Sequence, residues 1–370
     1  MNGERNERNQ RNAVRHRLGR RRCGWGERNV TAGAARGEEA AGAKEAVKVE
    51  ARRTREPRIA VAVVTMGNRP DEVDALLRSV AAQDLAPARI VIVGNGCRLP
   101  EFAHRLSLPG EVTTVELDEN LGCPGGRNAA LARLREFGDV DVVVDLDDDG
   151  LLVDADVLRR VRDLYAADPR LGIVGFRIAD ENGETQQRHV PRVGSADPMR
   201  GGYVTGFLGG GHALGMPMLA QTGDWPAEFF FAHEETDLAW RAADAGWKIL
   251  YAPELLLRHP KTSPARHAIY YRVTARNRVW LARRRLPLAL IPVHLGVWAL
   301  LTLVRTRSAA GLRAWLGGFA EGLRRPAGSG GPCAGGPCGG SPGWVGLRSS
   351  DQGRPRGVTW RRRSTPPPTS

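Results

Sequence analysis

The sequence predicts an α/β protein with an open, mostly parallel central sheet flanked by helices. Apolar, β-branched runs recur at 59–65, 90–93 and 140–146, and such runs are typical of strands that are buried on both faces. Segments with helical spacing of apolar residues lie between these runs, which indicates parallel strands joined by crossover helices. Ligands of such sheets bind beyond the carboxyl ends of the strands, so the residues that follow each strand are the candidates for function.

The first βα unit begins with the strand IAVAVVT at 59–65. The next helix has Pro70 in its first turn and two acids, Asp71 and Glu72, at its positive end. The second strand, IVIV at 90–93, ends in a Gly-Asn-Gly turn. The apolar residues of the helix fall on one stripe, Val73, Leu76, Leu77 and Val80.

Three aspartates follow the fourth predicted strand. A third strand around 112–117 leads into a glycine-rich turn, ENLGCPGGRN at 119–128, and then into a helix. The fourth strand, VDVVVDL at 140–146, runs directly into Asp147, Asp148 and Asp149. The triplet is therefore predicted to lie at a carboxyl end of the sheet.

The second half of the domain continues the alternation, with a helix at about 154–166 and a strand at 171–178. The segment GFLGGGHALGM at 206–216 is too rich in glycine for an ordinary core element, which indicates that its backbone approaches another group closely. Residues 234–246 predict a helix opened by acids and closed by glycine, and a strand follows it. The pattern then becomes helical and basic through 270–285.

The net charge of +13 comes from the two ends of the chain. Residues 1–58 carry 16 basic and 8 acidic side chains, and residues 324–370 carry 8 basic and 1 acidic. Residues 59–323 are left with 30 basic and 32 acidic side chains, which nearly balance. Both ends are poor in large apolar residues and lack periodicity, so we predict disordered extensions at 1–57 and 326–370. No aromatic interleaving or recognition fold accompanies them, which argues against nucleic acid as a partner.

Cysteine usage and the first residues bear on the compartment. The five cysteines are an odd number, and no histidine lies near Cys333 and Cys338 to complete a zinc site. The opening segment lacks the apolar core of a secretory signal. We therefore expect a reduced, cytoplasmic chain.

An apolar stretch at 286–304 carries no charge, and its length is close to the roughly 20 residues that span a bilayer. Two prolines, a histidine and a glycine make it a poor spanning helix. Arginines flank it on both sides, which favours an interfacial element on an anionic membrane surface, while a core or dimer helix is the alternative. The segment 266–325 is thus predicted to be basic, apolar and helical.

Two groups of acidic residues suggest two different chemical roles, one in binding a metal ion and one as a base. The triplet at 147–149 is costly to hold together unless a cation or water relieves its repulsion, and Mg²⁺ or Mn²⁺ would take its oxygens as ligands. A second group, Glu234, Glu235 and Asp237, opens a helix, where compensation of the helix dipole is the alternative explanation. Glycosyl transfer to a hydroxyl needs both a cation for the leaving diphosphate and a carboxylate base for the attacking oxygen. His259, at the end of a strand, is a plausible further metal ligand.

From about Ile59 to about Leu286 the chain resembles the family 2 glycosyltransferases of the GT-A fold, which has a Rossmann-like sheet. It is particularly similar to bacterial rhamnosyl- and galactofuranosyltransferase-like members. The matching segments, in chain order, are VVTMGNRPDEVDALLRSVAAQ, IVIVGNG, ENLGCPGGRN, LDDDG and the run from GDWPAEFFFAHEETD to LLLRH. The resemblance implies a glycosyltransferase domain at 58–265.

The resemblance also implies roles for particular residues. Asp147 and Asp149 match the outer acids of the D-x-D motif, with Asp149 on the metal and Asp147 beside the ion or the nucleotide ribose. His259 matches a further metal ligand. Glu235 falls where the family has its base, which is commonly Asp, and Asp237 is expected to support it.

The remaining expected site residues belong to the donor and acceptor pockets. Trp225 and Glu228 lie in the segment that lines the acceptor site in relatives. One departure is Gly94, where many members have an Asp that contacts the nucleotide base. The residues expected to bind the nucleotide sugar are Thr65, Arg69, Asn95, Asn120, Gly126, Asn128, Asp147 and Asp148.

These roles imply direct displacement with inversion, in which Glu235 deprotonates an acceptor hydroxyl. The expected cofactor is Mg²⁺ or Mn²⁺ and the expected donor a UDP- or dTDP-sugar. The acceptor is expected to be a glycan, a lipid-linked molecule or a small molecule with a hydroxyl group. Two other functions stay open, a nucleotidyltransferase and a nucleic-acid or membrane adaptor that acts through its basic ends. A nicotinamide-dependent dehydrogenase is disfavoured because no G-x-G-x-x-G follows the first strand.

Overall fold

The structure, a computed structural model, describes residues 55–99, 108–192, 197–261 and 269–325. The extensions expected at 1–57 and 326–370 lie outside the described residues, apart from residues 55–57. The cysteines Cys23, Cys333 and Cys338 lie outside them as well. The two remaining cysteines, Cys97 and Cys123, are free thiols.

The first half of the domain is a parallel sheet with crossover helices, as the sequence predicts. Strands β1, β2, β3 and β4 pair in the order β3-β2-β1-β4, and all three ladders are parallel. Their carboxyl ends therefore meet at one edge, where Thr65 stands beside Gly94 and Val64 beside Asp147. The elements are β1 (Ile59–Thr65), α1 (Pro70–Ala81), β2 (Arg89–Asn95), β3 (Glu111–Leu117), α2 (Gly122–Phe137) and β4 (Val142–Asp147).

Beyond β4 the sheet becomes mixed. Strand β8 runs antiparallel to both of its neighbours, β4 and β6, while β6 and β9 pair in parallel. The sheet among the described residues has the order β3-β2-β1-β4-β8-β6-β9-β5, and β7 pairs with β9. The elements are β5 (Leu151–Leu152), α3 (Val157–Ala167), β6 (Leu171–Ala179), β7 (Gly202–Tyr203), β8 (Gly211–Gly215), α4 (Met216–Thr222), α5 (Glu234–Asp244) and β9 (Lys248–Arg258).

Helices cover both faces of the sheet, which explains why its strands are apolar on both sides. The stripe predicted on α1 is buried against one face together with residues of α3. Residues of α2, α4 and α5 pack on the other face, among them Leu131, Met218 and Leu238. Alternate residues of β1 point to each layer, Val61 to the first and Ala62 to the second.

Three helices follow the sheet: α6 (Tyr270–Arg285), α7 (Leu290–Arg305) and α8 (Ala309–Arg324). Helix α8 packs closely along α6 because Gly318 and Gly322 lie against the backbone of Arg272 and Arg276. Helix α7 buries only Leu295. In the part of the chain that the structure describes, no helix has both the length and the apolar character needed to cross a membrane.

Candidate active site

A cavity of about 440 Å³ opens at the carboxyl ends of β1, β2 and β4. Thr65, Asn95 and Asp147 are the last residues of these strands, so the sheet topology brings them to the same place. In the part of the chain that the structure describes, six acidic residues line the cavity, and so do three arginines and two histidines. They are Asp145, Asp147, Asp148, Asp149, Glu234 and Glu235, with Arg69, Arg127, Arg188, His189 and His259.

Asp147, Asp149 and His259 form a group that could hold a metal ion, since one ligand atom from each lies within 4.8 Å of the others. Nε2 of His259 is 2.9 Å from Asp149 and 3.9 Å from Asp147. The other ring nitrogen, Nδ1, lies 2.9 Å from the carbonyl oxygen of Pro260. If Nδ1 carries a proton and donates it there, the lone pair of Nε2 faces the two carboxylates. Two carboxylate oxygens and one imidazole nitrogen suit Mn²⁺ or Mg²⁺.

The charges around this group oppose one another. Burial works against ionisation of Asp149, but a hydrogen bond from His259 and the charges of His259 and Arg69 outweigh it, so the pKa of Asp149 is lowered. Burial raises the pKa of Asp147 in spite of the nearby charge of Arg127. Burial also opposes charging of His259, yet its hydrogen bond to Asp149 and the two aspartate charges raise its pKa. The shift favours protonated His259, whose positive charge would lie beside the two carboxylates.

Asp148 points away from this group. It accepts hydrogen bonds from Oγ1 of Thr65 at 2.8 Å and from Nη1 of Arg69 at 3.1 Å. Arg69 also pairs with Asp149. The structure therefore brings together the expected nucleotide-binding residues Thr65, Arg69 and Asp148, and it leaves Asp147 and Asp149 as the acids that face His259.

Arg127 is a central residue that the sequence reasoning missed. Its side chain is 2% exposed and contacts Asp145 at 3.1 Å, Asp147 at 3.0 Å and the carbonyl oxygen of Gly209 at 2.6 Å. Burial raises the pKa of Asp145 to about 6, although the charge of Arg127 opposes this. The sequence does hold a signal for both residues. Asp145 is a single acid inside a buried strand, and Arg127 is a single arginine in the glycine-rich first turns of a helix, so each needs a buried partner.

Glu235 lies in the first turn of α5 and lines the same cavity as the metal group. Its carboxylate rests against Gly209, where a Cβ atom would overlap Oε1 of Glu235. Burial raises the pKa of Glu235, and the charge of Arg127 partly offsets this effect. A raised pKa suits a general base, which must accept a proton during the reaction. The glycine-rich segment predicted to approach another group closely thus lies against the candidate base.

Glu234 was singled out by its place in the acidic group but was not assigned a role. It is buried, it lines the same cavity, and its Oε2 has no hydrogen-bond partner. Burial and the neighbouring charge of Glu235 raise its pKa. Glu234 and Glu235 therefore both line the cavity.

Asp237 lies outside the cavity lining, contrary to its expected catalytic role beside Glu235. Its side chain is 1% exposed and pairs with Nε of Arg241 at 2.9 Å and with Nε of Arg285 at 2.8 Å. Asp237 is two positions after Glu235 on α5, so it points to a different side of the helix. The structure gives it the position of an ionic link between α5 and α6.

The expected acceptor residues also lie outside the cavity lining. Trp225 is buried, with its ring 4.9 Å from the guanidinium of Arg127 and near the ring of His212. Glu228 forms an ion pair with Arg284 on α6. Both residues act here as packing and pairing groups around the cavity walls.

Two residues of the expected donor loop pack behind the cavity. The α carbon of Gly126 faces β1, where a Cβ atom would collide with Val64. Asn128 fixes the segment before α5 because its side chain donates to the carbonyl oxygen of Trp225 at 2.9 Å and accepts from the amide of Trp225 at 3.0 Å. These positions shape the pocket from behind.

Asn95 and Asn120 hold the glycine-rich turn at the cavity rim, and both line the cavity. Nδ2 of Asn95 donates to Asn120 at 3.1 Å and to the carbonyl oxygen of Gly122 at 3.0 Å. Oδ1 of Asn95 accepts from the amide of Leu121 at 2.9 Å. The turn therefore keeps one conformation before α2 begins.

Solved structures share this fold. GalNAc-T7, in a structure with UDP, GalNAc and Mn²⁺, has a TM-score of 0.51 at 13% identity, and the match covers 72% of this chain and 55% of that chain. S. aureus TarS 1-349, in complex with UDP-GlcNAc, has a TM-score of 0.50 at 16% identity, over 72% of this chain and 80% of that chain. The longer S. aureus TarS structure has a TM-score of 0.49 at 17% identity; the match covers 72% of this chain and 48% of that one. At these identities the likeness shows the fold alone.

The α/β fold of the described residues is of the GT-A type. Residues 61–221 match the family described as glycosyl transferase family 2, which agrees with the resemblance seen in the sequence. Among curated proteins, none matches the chain. The predicted fold class and family are thereby confirmed.

Proposed function

We propose that this protein is an inverting, metal-dependent glycosyltransferase that moves a hexosyl or deoxyhexosyl group from a nucleotide diphosphate to a hydroxyl acceptor. The observation that carries the proposal is the pairing of two groups across one cavity. Asp147, Asp149 and His259 offer ligands for a divalent cation, and Glu235 offers a carboxylate with a raised pKa. These are the two functions that glycosyl transfer requires.

In this mechanism Glu235 takes the proton of the acceptor hydroxyl as the oxygen attacks the anomeric carbon. The diphosphate departs from the opposite face, so the configuration inverts. A bound Mn²⁺ or Mg²⁺ would neutralise the charge of the departing diphosphate. Arg127 holds Asp147 in place through an ion pair. Arg69 and Asp148, which lie beside the carboxyl end of β1, bind the nucleotide. The carboxylate of Glu235 is oriented by its contact with Gly209.

The proposed donor is a UDP- or dTDP-sugar. The structures of GalNAc-T7 and TarS that share the fold carry UDP and UDP-GlcNAc, which supports a uridine nucleotide without assigning it. A thermal-shift panel of UDP-, dTDP- and GDP-sugars, each with and without Mn²⁺, would identify the donor. A chain that responds to no nucleotide sugar in the panel would overturn the proposal.

The decisive variant is Glu235→Gln, which keeps the size of the side chain and removes the base. We expect transfer to be lost while Mn²⁺-dependent nucleotide binding is retained, because Glu235 lies outside the metal group. Asp237→Asn is the matched comparison, since Asp237 lies on the same helix and outside the cavity lining. Full activity of Glu235→Gln would sink the assignment of the base.

We further propose that the acceptor is a lipid-linked or cell-envelope glycan, presented at the inner face of a membrane. The outer side of α7 is apolar, and no acidic residue occurs between Glu254 and Glu321. Exposed arginines follow the helix at Arg305 and Arg307. An apolar face with cationic flanks suits an anionic surface. The exposed apolar residues of α7 are Leu290, Val293, Val297, Leu300, Leu303 and Val304.

Vesicle flotation tests this proposal. The protein is expected to float with phosphatidylglycerol vesicles and to stay behind with phosphatidylcholine vesicles. Val297→Glu combined with Leu300→Glu should abolish flotation, and Met199→Glu, a control at an exposed apolar residue outside α7, should not. Equal flotation of all variants would refute membrane docking, and dimers dissociated by the double variant would assign this face to self-association.

The catalytic unit is proposed to be the domain at 58–265 with the helical segment at 266–325. Deleting residues 1–54 and 327–370 should then leave donor turnover unchanged. Loss of turnover on this deletion would give the extensions a part in catalysis. Loss of vesicle binding with intact turnover would instead assign the extensions to the membrane.

A further inference from the structure

The segment just before the candidate base has a strained backbone. Phe230, Ala232 and His233 have φ angles of 64°, 68° and 71°, in the left-handed region that residues with a side chain rarely adopt. Each such residue costs on the order of 1 kcal/mol or more and persists only where surrounding contacts hold it. His233 is the residue on which α5 begins, so the conformation of this segment sets the direction of Glu235.

One side chain holds most of this segment. Asn277 on α6 is fully buried, and its Nδ2 lies 2.9, 2.8 and 2.9 Å from the carbonyl oxygens of Phe229, Phe231 and Ala232. An amide group has two N–H donors, so the three carbonyls share two protons. Without Asn277 each of these carbonyls would lose a hydrogen bond, although that of Phe229 would keep those from Arg276 and from the amide of Phe231. Losing hydrogen bonds is costly for buried polar groups.

The segment is held from the opposite side as well. The carbonyl oxygen of Phe230 accepts a hydrogen bond from the amide of Cys123 at 2.9 Å. It approaches so closely that any side chain at Gly122 would overlap it. The strained segment is thus fixed between the start of α2, which belongs to the glycine-rich turn of the donor side, and α6, which follows the sheet.

We propose that Asn277 is a positioning residue that sets the direction of Glu235 by holding residues 229–232 in their strained conformation. This inference rests on the proposed function, because it takes Glu235 as the base. It also makes α6 part of the catalytic unit, although α6 lies beyond the residues that match the family. Asn277 does not touch substrate in this proposal and acts through the backbone that precedes α5.

The test variant is Asn277→Asp, which keeps the shape of the side chain and places a second oxygen against the three carbonyls. We expect kcat to fall by about 10- to 100-fold, since a displacement of the base by about 1 Å has an effect of that order. Binding of UDP with Mn²⁺ should change less than about 3-fold, because the metal group and Asp148 are held at the ends of β4 and β9 and not by Asn277. Amide hydrogen exchange at residues 230–235 should become faster.

Arg283→Gln is the matched control. Arg283 lies on the same helix and also donates to three carbonyl oxygens, those of Gly322, Leu323 and Arg325, at 3.2 to 3.3 Å. This variant should lower the melting temperature through the α6–α8 contact and leave kcat within about 2-fold. If Asn277→Asp loses no more turnover than Arg283→Gln, or loses nucleotide binding in proportion to turnover, the positioning role is wrong.

The test still decides if the variant does not fold or if the wild-type chain transfers no sugar. If Asn277→Asp does not fold, Asn277→Ser retains one donor and should give a smaller fall in kcat with the same split between turnover and nucleotide binding. If the wild-type chain transfers no sugar, the proposed function fails by itself. Hydrogen exchange at 230–235 then still decides whether Asn277 holds the segment.

Discussion

Gly209→Ala offers the sharpest test of how the candidate base is placed. Gly209 lies beside Oε1 of Glu235, and its backbone has no positive φ, so alanine fits the local conformation. The added methyl would overlap the carboxylate, while the guanidinium nitrogens of Arg127 stand at an ordinary 3.4 Å. The substitution therefore acts on the base and spares the arginine.

The expected loss follows from the distance. A Cβ at Gly209 would lie well inside 3.0 Å of Oε1 of Glu235, and ordinary contact begins at about 3.4 Å, so the carboxylate must withdraw by about 1 Å. A misplacement of that size costs about 100-fold in rate, or about 2.7 kcal/mol of transition-state stabilisation. The end of a glutamate side chain moves easily, and alanine loses less chain entropy on folding than glycine, so stability should change by less than about 1 kcal/mol.

Turnover with the donor found in the thermal-shift panel measures this effect, alongside nucleotide affinity and urea unfolding. Gly206→Ala is the matched control, because it lies in the same segment and a Cβ there would meet nothing within 4 Å. It should keep full activity. Wild-type turnover of Gly209→Ala, or a parallel loss in Gly206→Ala, would refute the reasoning.

Three further predictions follow from the site. His259→Ala should weaken Mn²⁺ binding by about 10-fold or more in calorimetry, since it removes one of three candidate ligands; unchanged affinity would exclude His259 from the metal group. The pKa of His259 is raised above its ordinary value of about 6.5, and a protonated ring cannot bind a metal ion. Mn²⁺ should therefore raise the melting temperature more at pH 8 than at pH 6. Asp237→Asn should lower the free energy of unfolding by about 3 kcal/mol in urea, because two partly buried arginines, Arg241 and Arg285, lose the charge of the carboxylate that they share. It should leave kcat of the folded protein near wild type. A catalytic Asp237 would give the reverse pattern.

The elements of the sheet could be predicted because their signals are local. The run 59–65 and the stripe on α1 appear in the structure at the expected positions. The antiparallel insertion of β8 between β4 and β6 could not be predicted, since strand order depends on contacts between distant segments. That insertion matters for the site, because the segment that leads into β8 places Gly210 against Asp147 and Gly209 against Glu235 and Arg127.

The site itself was predictable where a strand end carries the reactive group. Asp147 and His259 follow strands, and the structure brings both to the cavity. Asp237 was assigned by its place in an acidic cluster, but the sequence does not show which side of a helix faces the cavity when both sides are covered. Arg127 and Asn277 were missed because their roles depend on buried partners from other elements, Asp145 for the first and the carbonyls of 229–232 for the second.

The charges that line the cavity indicate what kind of ligand it binds. Among the described residues, six carboxyl groups line it against three arginines, so these acids exceed the permanent cations. Burial raises the pKa of Asp145, Asp147, Glu234 and Glu235, which favours their neutral forms and lowers the negative charge of the cavity. A divalent cation bound at Asp149 would add positive charge to this cavity, and a nucleotide diphosphate could then bind to that cation. Metal and donor should for that reason bind with positive coupling, and metal binding should release protons.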